Sequence, residues 1–266
     1  MMTRVLVTGG AGTLGSALVP RLIEAGYVVR VMSRHGPRTN LPPQVEWAQA
    51  DLATGEGVQM AVDDVQVVVH AASTPAPSGK VDVHGTQRLL EAARAAGVAH
   101  CFYISIVGIE SAPYYYYRNK LKAEALVRES GVPWTILRAT QFHQLIDRVL
   151  RAMVRGPVAL LPTDLQFQPI DVRDVAGRIV TSLAAGPAGR LDDIGGPEVL
   201  TLGEMARAWL EARGLRRRIV HLPLPGKTAA AIRQGRITCP DKPYGTIAWQ
   251  TWVQETYGAL RVAASV

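Results

Sequence analysis

Ser105, Tyr116 and Lys120 are the residues of this 266-residue chain whose types and spacing suit proton chemistry. Tyr116 and Lys120 stand four apart in YYRNKLKAE, so a helix puts them on one face. A phenol titrates near pH ~10 in water. A neighbouring ammonium favours the phenolate, and a tyrosine tuned in this way can exchange a proton with a carbonyl or hydroxyl oxygen. Ser105, near the end of the apolar run CFYISI, can hydrogen-bond that same oxygen. Tyr114 to Tyr117 are consecutive tyrosines, and only Tyr116 has a lysine four residues on. The spacing alone is also that of an ordinary helix surface.

What would position these groups begins at the other end of the chain. Val5, Leu6 and Val7 lead into TGGAGTLG, and the chain continues as LGSALVPRLIEAG. That order reads as strand, glycine turn, helix. Gly9, Gly12 and Gly15 have the spacing in which one glycine turns the chain, one admits a pyrophosphate to the backbone and one lets helix pack on strand. Thr13 and Leu14 then open the helix, whose first N–H groups suit an anion. The turn points to a dinucleotide.

The next strand, YVVRVM, ends in Ser33 and Arg34, and Val28 to Gly36 contains no carboxylate. An acid there holds the ribose of NAD, whereas an arginine suits the 2′-phosphate of NADP. Arg34, with a hydroxyl from Ser33 and a second charge at Arg38, therefore favours NADP(H). Asp51 and Leu52 close the third strand. Asp51 can accept from an adenine amino group with Leu52 against the ring, or it can cap the following turn. Ala71, Ala72 and Ser73 follow the fourth strand, VQVVVHA, and are small enough for a cofactor to pass close to backbone.

Strands and helices alternate through the sixth strand, PWTILR, with helices expected over 81–96 and 116–130. This predicts an α/β fold: a Rossmann-type doubly wound parallel sheet with right-handed crossovers. After about residue 140 the pattern loosens into short extended pieces broken by Pro157, Pro162 and Pro169, then helices over 172–183 and 202–213. The expected division is a cofactor-binding core over 1–155 and a small C-terminal α+β substrate lobe over 156–266, interleaved with the last sheet strands. His143 either lines a substrate pocket or simply starts a helix.

The net charge is +7, but the only tight basic cluster is Arg216 to Arg218 and no nucleic-acid motif is present, so a nucleic-acid partner is not expected. No apolar run reaches the roughly 18 residues of a membrane span. Two distant cysteines, Cys101 and Cys239, argue against a disulfide framework and for the cytoplasm. His70, His84, His100 and His221 lack metal-ligand spacing, so no metal is expected.

With these segments assembled, the chain resembles the atypical or extended short-chain dehydrogenase/reductases, NmrA-like NAD(P)H-binding proteins. The segments that carry the likeness are TGGAGTLG, VMSR, HAAS, DVHGTQRLLEAARAAGV, YISIVGI, YYRNKLKAE, GVPWTILRATQF, PIDVRDVA and IGGPEVLTLGEM. The resemblance implies Ser105, Tyr116 and Lys120 as a Ser–Tyr–Lys set, with Lys120 also on the cofactor ribose. It further implies Ala139, Thr140 and Phe142 as backbone beside the nicotinamide. Where many dehydrogenases carry an asparagine, this chain has Asp82. The expected activity is NADP-dependent reduction of a small carbonyl, enone or quinone-like molecule by a monomer or homodimer. The same family also contains NADPH sensors that catalyse nothing, and non-redox enzymes such as epimerases, dehydratases and cyclases.

Overall fold

The computed structural model describes residues 2–37 and 41–263, with side chains described through residue 258; Arg38 lies outside the described residues. In chain order the elements are β1 (Arg4–Thr8), α1 (Thr13–Glu24), β2 (Val28–Ser33), β3 (Glu46–Gln49), α2 (Val58–Ala61), β4 (Val67–His70), α3 (Thr86–Ala95), β5 (His100–Ile106), α4 (Tyr115–Glu129) and β6 (Trp134–Ala139). They continue with α5 (His143–Met153), β7 (Val158–Leu161), β8 (Gln166–Phe167), α6 (Val172–Ala184), β9 (Gly189–Arg190), β10 (Leu200–Thr201), α7 (Leu202–Ala212), β11 (Arg218–His221), α8 (Lys227–Arg233) and α9 (Trp249–Ala263).

The chain forms two compact units. The first comprises Met1–Ile106, Tyr114–Arg138 and Val175–Asp192. It carries the seven-stranded sheet, in the order β3-β2-β1-β4-β5-β6-β9. Pairings of β1 with β2 and β4, of β2 with β3, of β4 with β5 and of β6 with β9 all run parallel. The expected Rossmann-type sheet is therefore present, with the strand order 3-2-1-4-5-6 that places a dinucleotide at the carboxyl ends of the strands. Strands covered on both faces read as unbroken apolar runs, and Val5, Leu6, Val7, Val68 and Val69 are wholly buried. One face packs Leu6, Val68, Cys101, Tyr103 and Ile136 against Leu89, Ala93, Ala123 and Val127 of α3 and α4.

One expected element changes its winding. The helix over 81–96 begins as a wide π-helical turn at Lys80–Gly85 and continues without a break as α3. Gly79 precedes the turn in the left-handed region, at φ +61, and the backbone carbonyl of Gly79 accepts from both Val83 and His84 N–H. Leu52 fits against this stretch because residue 85 is glycine; a Cβ there would lie 2.9 Å from Leu52 Cβ.

The second unit comprises Val107–Pro113, Ala139–Asp174 and Asp193–Val266. Its core is Ile146 and Leu150 of α5 with Met205, Trp209 and Leu210 of α7 and Trp249, Trp252 and Val253 of α9. Two small sheets accompany it: β7 with β11, parallel, and β8 with β10, antiparallel. The extended pieces broken by proline are β7 and β8. Thr201 caps α7 by accepting from Glu204 N–H while Glu204 reaches back to the Thr201 N–H. No described helix is long and apolar enough to cross a membrane.

Candidate functional site

β1 delivers the chain to a turn at Gly9, whose φ of +70 is open to glycine at no steric cost. The Gly12 N–H donates to the Gly9 carbonyl at 2.9 Å and closes the turn. A Cβ on Gly15 would stand 2.3 Å from the Gly9 oxygen and 2.4 Å from Gly10 Cα, so only glycine lets α1 start this near β1. Gly12 differs. A Cβ there would meet only the Gly9 oxygen, at 3.1 Å, and its other sides are open. Gly12 is the N-cap of α1 and no side chain caps the turn that Thr13 and Leu14 begin. An open backbone cradle over uncapped N–H groups fits a pyrophosphate.

At the end of β2, Ser33 Oγ accepts from His35 N–H at 3.2 Å, and Arg34 is exposed. Asp51 uses one oxygen to accept from Ala53 N–H at 2.8 Å, the turn-capping role, and Leu52 is 5% exposed within the apolar core. Ala71 and Ala72 cross directly over the glycine turn: a Cβ on Gly9 would lie 2.9 Å from Ala72 N and Cα.

A directed hydrogen-bond array fixes that crossing. Ala72 N–H donates to Thr8 Oγ1 at 3.1 Å, and Thr8 Oγ1 lies 2.7 Å from His70 Nδ1. His70 Nε2 lies 2.9 Å from Thr86 Oγ1, and Thr86 Oγ1 donates to the Asp82 carbonyl at 2.8 Å. Because Thr86 spends its proton on a carbonyl, His70 must donate from Nε2 and accept at Nδ1. Burial pushes the His70 ring down to about 3, helped by the Lys120 charge, so it stays neutral and the array keeps one sense. The Asp82 carboxylate, 1% exposed, then accepts from Ser73 Oγ–H and, at 2.9 Å, from Thr74 N–H.

α4 lies along the same segment. Tyr115 Oη donates to the Pro75 carbonyl at 3.1 Å, Asn119 Nδ2 to the Ala76 carbonyl at 3.1 Å, and Tyr116 Oη lies 2.7 Å from Ser73 Oγ. Ser73 gives its single proton to Asp82, so Tyr116 is the donor in the last of these. Lys120, 3% exposed, donates to the Ile104 carbonyl at 2.6 Å with its Nζ 4.1 Å from the centre of the Tyr103 ring. Ser105 is 2% exposed, and its Oγ has no hydrogen-bond partner in ordinary geometry, though it lies near enough to Glu124 to favour that carboxylate. Ser105, Tyr116 and Lys120 thus share the first unit, but no hydrogen bond joins them to one another. The Tyr103 phenol is likewise buried without a partner.

The protonation expected at Tyr116 needs correction. Instead of a favoured phenolate, burial pushes the phenol up to about 12; the Ser73 hydrogen bond opposes this, and the Asp82 charge reinforces it. Lys120 is itself pushed down to about 8 by burial, against the pull of Asp82 and Glu124. This geometry makes Tyr116 a held acid.

Ala139, Thr140, Phe142 and His143 belong to the second unit. Ala139 bridges Ile194, Thr140 N–H donates to the Ile194 carbonyl at 3.0 Å, and Thr140 Oγ1 donates to the Gln168 carbonyl at 2.5 Å. Phe142 is the N-cap of α5 and bridges Ile170. His143 begins α5 and is wholly buried, its ring centre 5.6 Å and 5.5 Å from those of Trp249 and Trp252, with Nε2 3.0 Å from the Ile247 carbonyl. Packed in this way it shows no face to a ligand. Asp171 takes both bonds of the Arg173 fork, and Arg173 also reaches Glu255. Among the described residues no group of His, Cys, Asp or Glu could hold a metal ion.

Sequence reasoning missed the roles of His70, Thr86 and the Glu124–Arg138 pair, which is bidentate at 2.7 Å and 2.7 Å and almost completely buried. Asp82 was visible only as a departure from the usual asparagine.

Glycine turn, uncapped helix and strand order together define a Rossmann-type dinucleotide-binding protein. A family model described as NAD(P)H-binding matches residues 9–185, and the chain belongs to that family. It is 31% identical over 208 residues to (4-alkanoyl-5-oxo-2,5-dihydrofuran-3-yl)methyl phosphate reductase of Streptomyces griseus subsp. griseus, an alignment covering 75% of this chain and 70% of the relative. It is 29% identical over 263 residues to 3 beta-hydroxysteroid dehydrogenase/Delta 5-->4-isomerase of Mycobacterium tuberculosis, covering 80% and 70%. Its fold is like that of Thermus thermophilus UDP-glucose 4-epimerase complexed with NAD, at a TM-score of 0.76 and 24% identity, covering 98% and 100% of the two chains. The family is one of NAD(P)H-binding proteins, with reductases and a dehydrogenase among the relatives of this chain.

Proposed function

We propose that the chain is an NADP(H)-dependent oxidoreductase that reduces a small carbonyl, enone or quinone-like substrate. One observation carries the reading. The Tyr116 phenol donates to Ser73, the residue next to Ala72, whose backbone lies on the Gly9 turn, so a protonated acid stands beside the cofactor cradle. The reductase and dehydrogenase relatives support the redox class.

When bound, the nicotinamide supplies the hydride. The chain supplies the rest. Gly9, Gly12, Thr13, Leu14 and Gly15 hold the pyrophosphate, Ser33 and Arg34 the 2′-phosphate, and Asp51 the adenine edge with its free oxygen. Tyr116 gives its proton to the substrate oxygen. Lys120 has three donors and spends one on Ile104, leaving two for a ribose hydroxyl and for the charge that forms on Tyr116. Ser105 would turn its hydroxyl from Glu124 to the same oxygen.

The test is NADPH oxidation across a panel of enones, quinones and simple carbonyls, with Tyr116→Phe beside the wild type. Turnover that falls at least about 100-fold in Tyr116→Phe while NADPH still binds is expected for a lost general acid. Full activity in the variant, or none in the wild type across the panel, overturns the reading.

A further inference from the structure

We infer that Asp82, acting through Ser73, is the proton partner of Tyr116, so that the three form a relay carrying a proton to and from the phenol. The inference deepens the proposed oxidoreductase reading and rests on it for the substrate.

The geometry gives the relay its direction. Tyr116 Oη–H donates to Ser73 Oγ, and Ser73 Oγ–H donates to Asp82. The second Asp82 oxygen is held by Thr74 N–H, so the carboxylate cannot swing away from Ser73. An amide here would have one acceptor atom for two donors and could not take up a proton. The structure puts the Asp82 carboxylate two hydrogen bonds from the phenol. The titratable groups facing the chain are Lys120 from α4, Tyr103 from β5, and Tyr114 and Tyr117 beside Tyr116. Among these only Lys120 brings a positive charge, and its burial needs the charge on Asp82 as support.

In the oxidative direction the substrate O–H bond breaks and its proton passes to Tyr116 Oη. The phenol's own proton passes to Ser73 Oγ, and the serine's to a carboxylate oxygen of Asp82. Tyr116 and Ser73 each gain one O–H bond and lose one; the substrate loses one and Asp82 gains one. The substrate C–H hydrogen leaves with its electron pair as the hydride that oxidised NADP accepts. Reduction runs the same steps backwards and starts only after the Asp82 carboxylate, which accepts from Ser73 and Thr74, has taken a proton from bulk water.

The relay is testable without turnover. Difluorotyrosine incorporated throughout the chain titrates low enough for the fold to survive, and its fluorine resonances report each phenol; Tyr116→Phe identifies the one in question. Asp82→Asn is expected to lower the Tyr116 midpoint by about one pH unit. In a Ser73→Ala background the same substitution is expected to move it less, because only the through-space charge of Asp82 then acts on the phenol. Ser73→Thr keeps the hydroxyl and should keep the coupling. On substrate, Ser73→Ala is expected to lower kcat at least about 10-fold with KM kept, and Ser73→Thr to restore it.

An Asp82→Asn shift that is absent, or equal with and without the Ser73 hydroxyl, overturns the relay. Should Asp82→Asn not fold, the comparison of Ser73→Ala with Ser73→Thr decides: equal phenol midpoints and equal kcat in both overturn it. A wild type silent on the whole panel but showing the coupled shift would sink the redox reading alone. Turnover with a flat cycle would sink the relay alone.

Discussion

Two glycines three residues apart should respond to the same methyl group in opposite ways. Gly15→Ala puts a Cβ 2.3 Å from the Gly9 oxygen and 2.4–2.5 Å from two Gly10 backbone atoms. An ordinary carbon–oxygen approach is about 3.3 Å, so the shortfall is near ~1 Å, and it is against backbone that cannot rotate aside. The cost belongs at the top of the overpacking range, about 3 kcal/mol, and the turn must move. Gly12→Ala meets one atom at 3.1 Å, from a φ of −86 and ψ of −174 that alanine accepts. Its stability should stay within about 0.5 kcal/mol of wild type. The same methyl, however, stands over the open N–H cradle. Losing about two charged hydrogen bonds to a pyrophosphate, at about 1.5 kcal/mol each, is about a 100-fold loss of affinity. Urea unfolding followed by circular dichroism, with calorimetric titration of NADPH, measures both quantities. Wild-type NADPH affinity in Gly12→Ala, or a wild-type urea midpoint in Gly15→Ala, would refute the reasoning about the cradle.

Three further outcomes follow from other parts of the chain. Arg34→Ala should weaken NADPH by about 10- to 100-fold, the worth of charged hydrogen bonds to a phosphate, and leave NADH untouched in the same titration; equal losses would remove Arg34 from the 2′-phosphate. Burial holds His70 down to about 3 and His100 down to about 4, both below the unfolded value near 6.5, so the unfolded chain takes up protons first as pH falls. The stability these rings contribute is complete above about 6.5 and drains by about 1.4 kcal/mol per pH unit for each ring below it. Equal urea midpoints at pH 7 and pH 5 would contradict this. Arg138→Met leaves the Glu124 carboxylate buried without its fork and should cost about 3–5 kcal/mol in urea, most of it recovered when Glu124 is replaced by Gln in the same chain.

What the sequence made legible was what short range controls. The glycine turn, the helix after it and the apolar strands are each set by neighbours a few residues apart, and the alternation of strand and helix is enough to order a parallel sheet. The π-helical winding at Lys80–Gly85 was not visible, because the apolar spacing there is that of an ordinary helix; the close approach of Leu52 to Gly85 involves a residue far away in sequence. The pairing of Ser73 with Asp82 was hidden for the same reason: DVHGT looks like the start of a helix, and only the wide turn aims the carboxylate back at the loop after β4. Spacing put Tyr116 and Lys120 on one face, as α4 has them, but could not say how dry that face is. Burial decides which way the phenol titrates, and burial is a property of the whole sheet rather than of a four-residue interval.

The one-way array from Ala72 through Thr8, His70 and Thr86 to Asp82 bears on motion as well as placement. Every hydroxyl in it has a single proton already committed, so no member can turn unless its neighbours turn too. A second proton on His70 would set two donors head to head at Thr8 and reverse the order at that point. The crossing over the glycine turn and the wide turn before α3 therefore behave as one latch: they stay shut together or let go together, and acid is what works the catch.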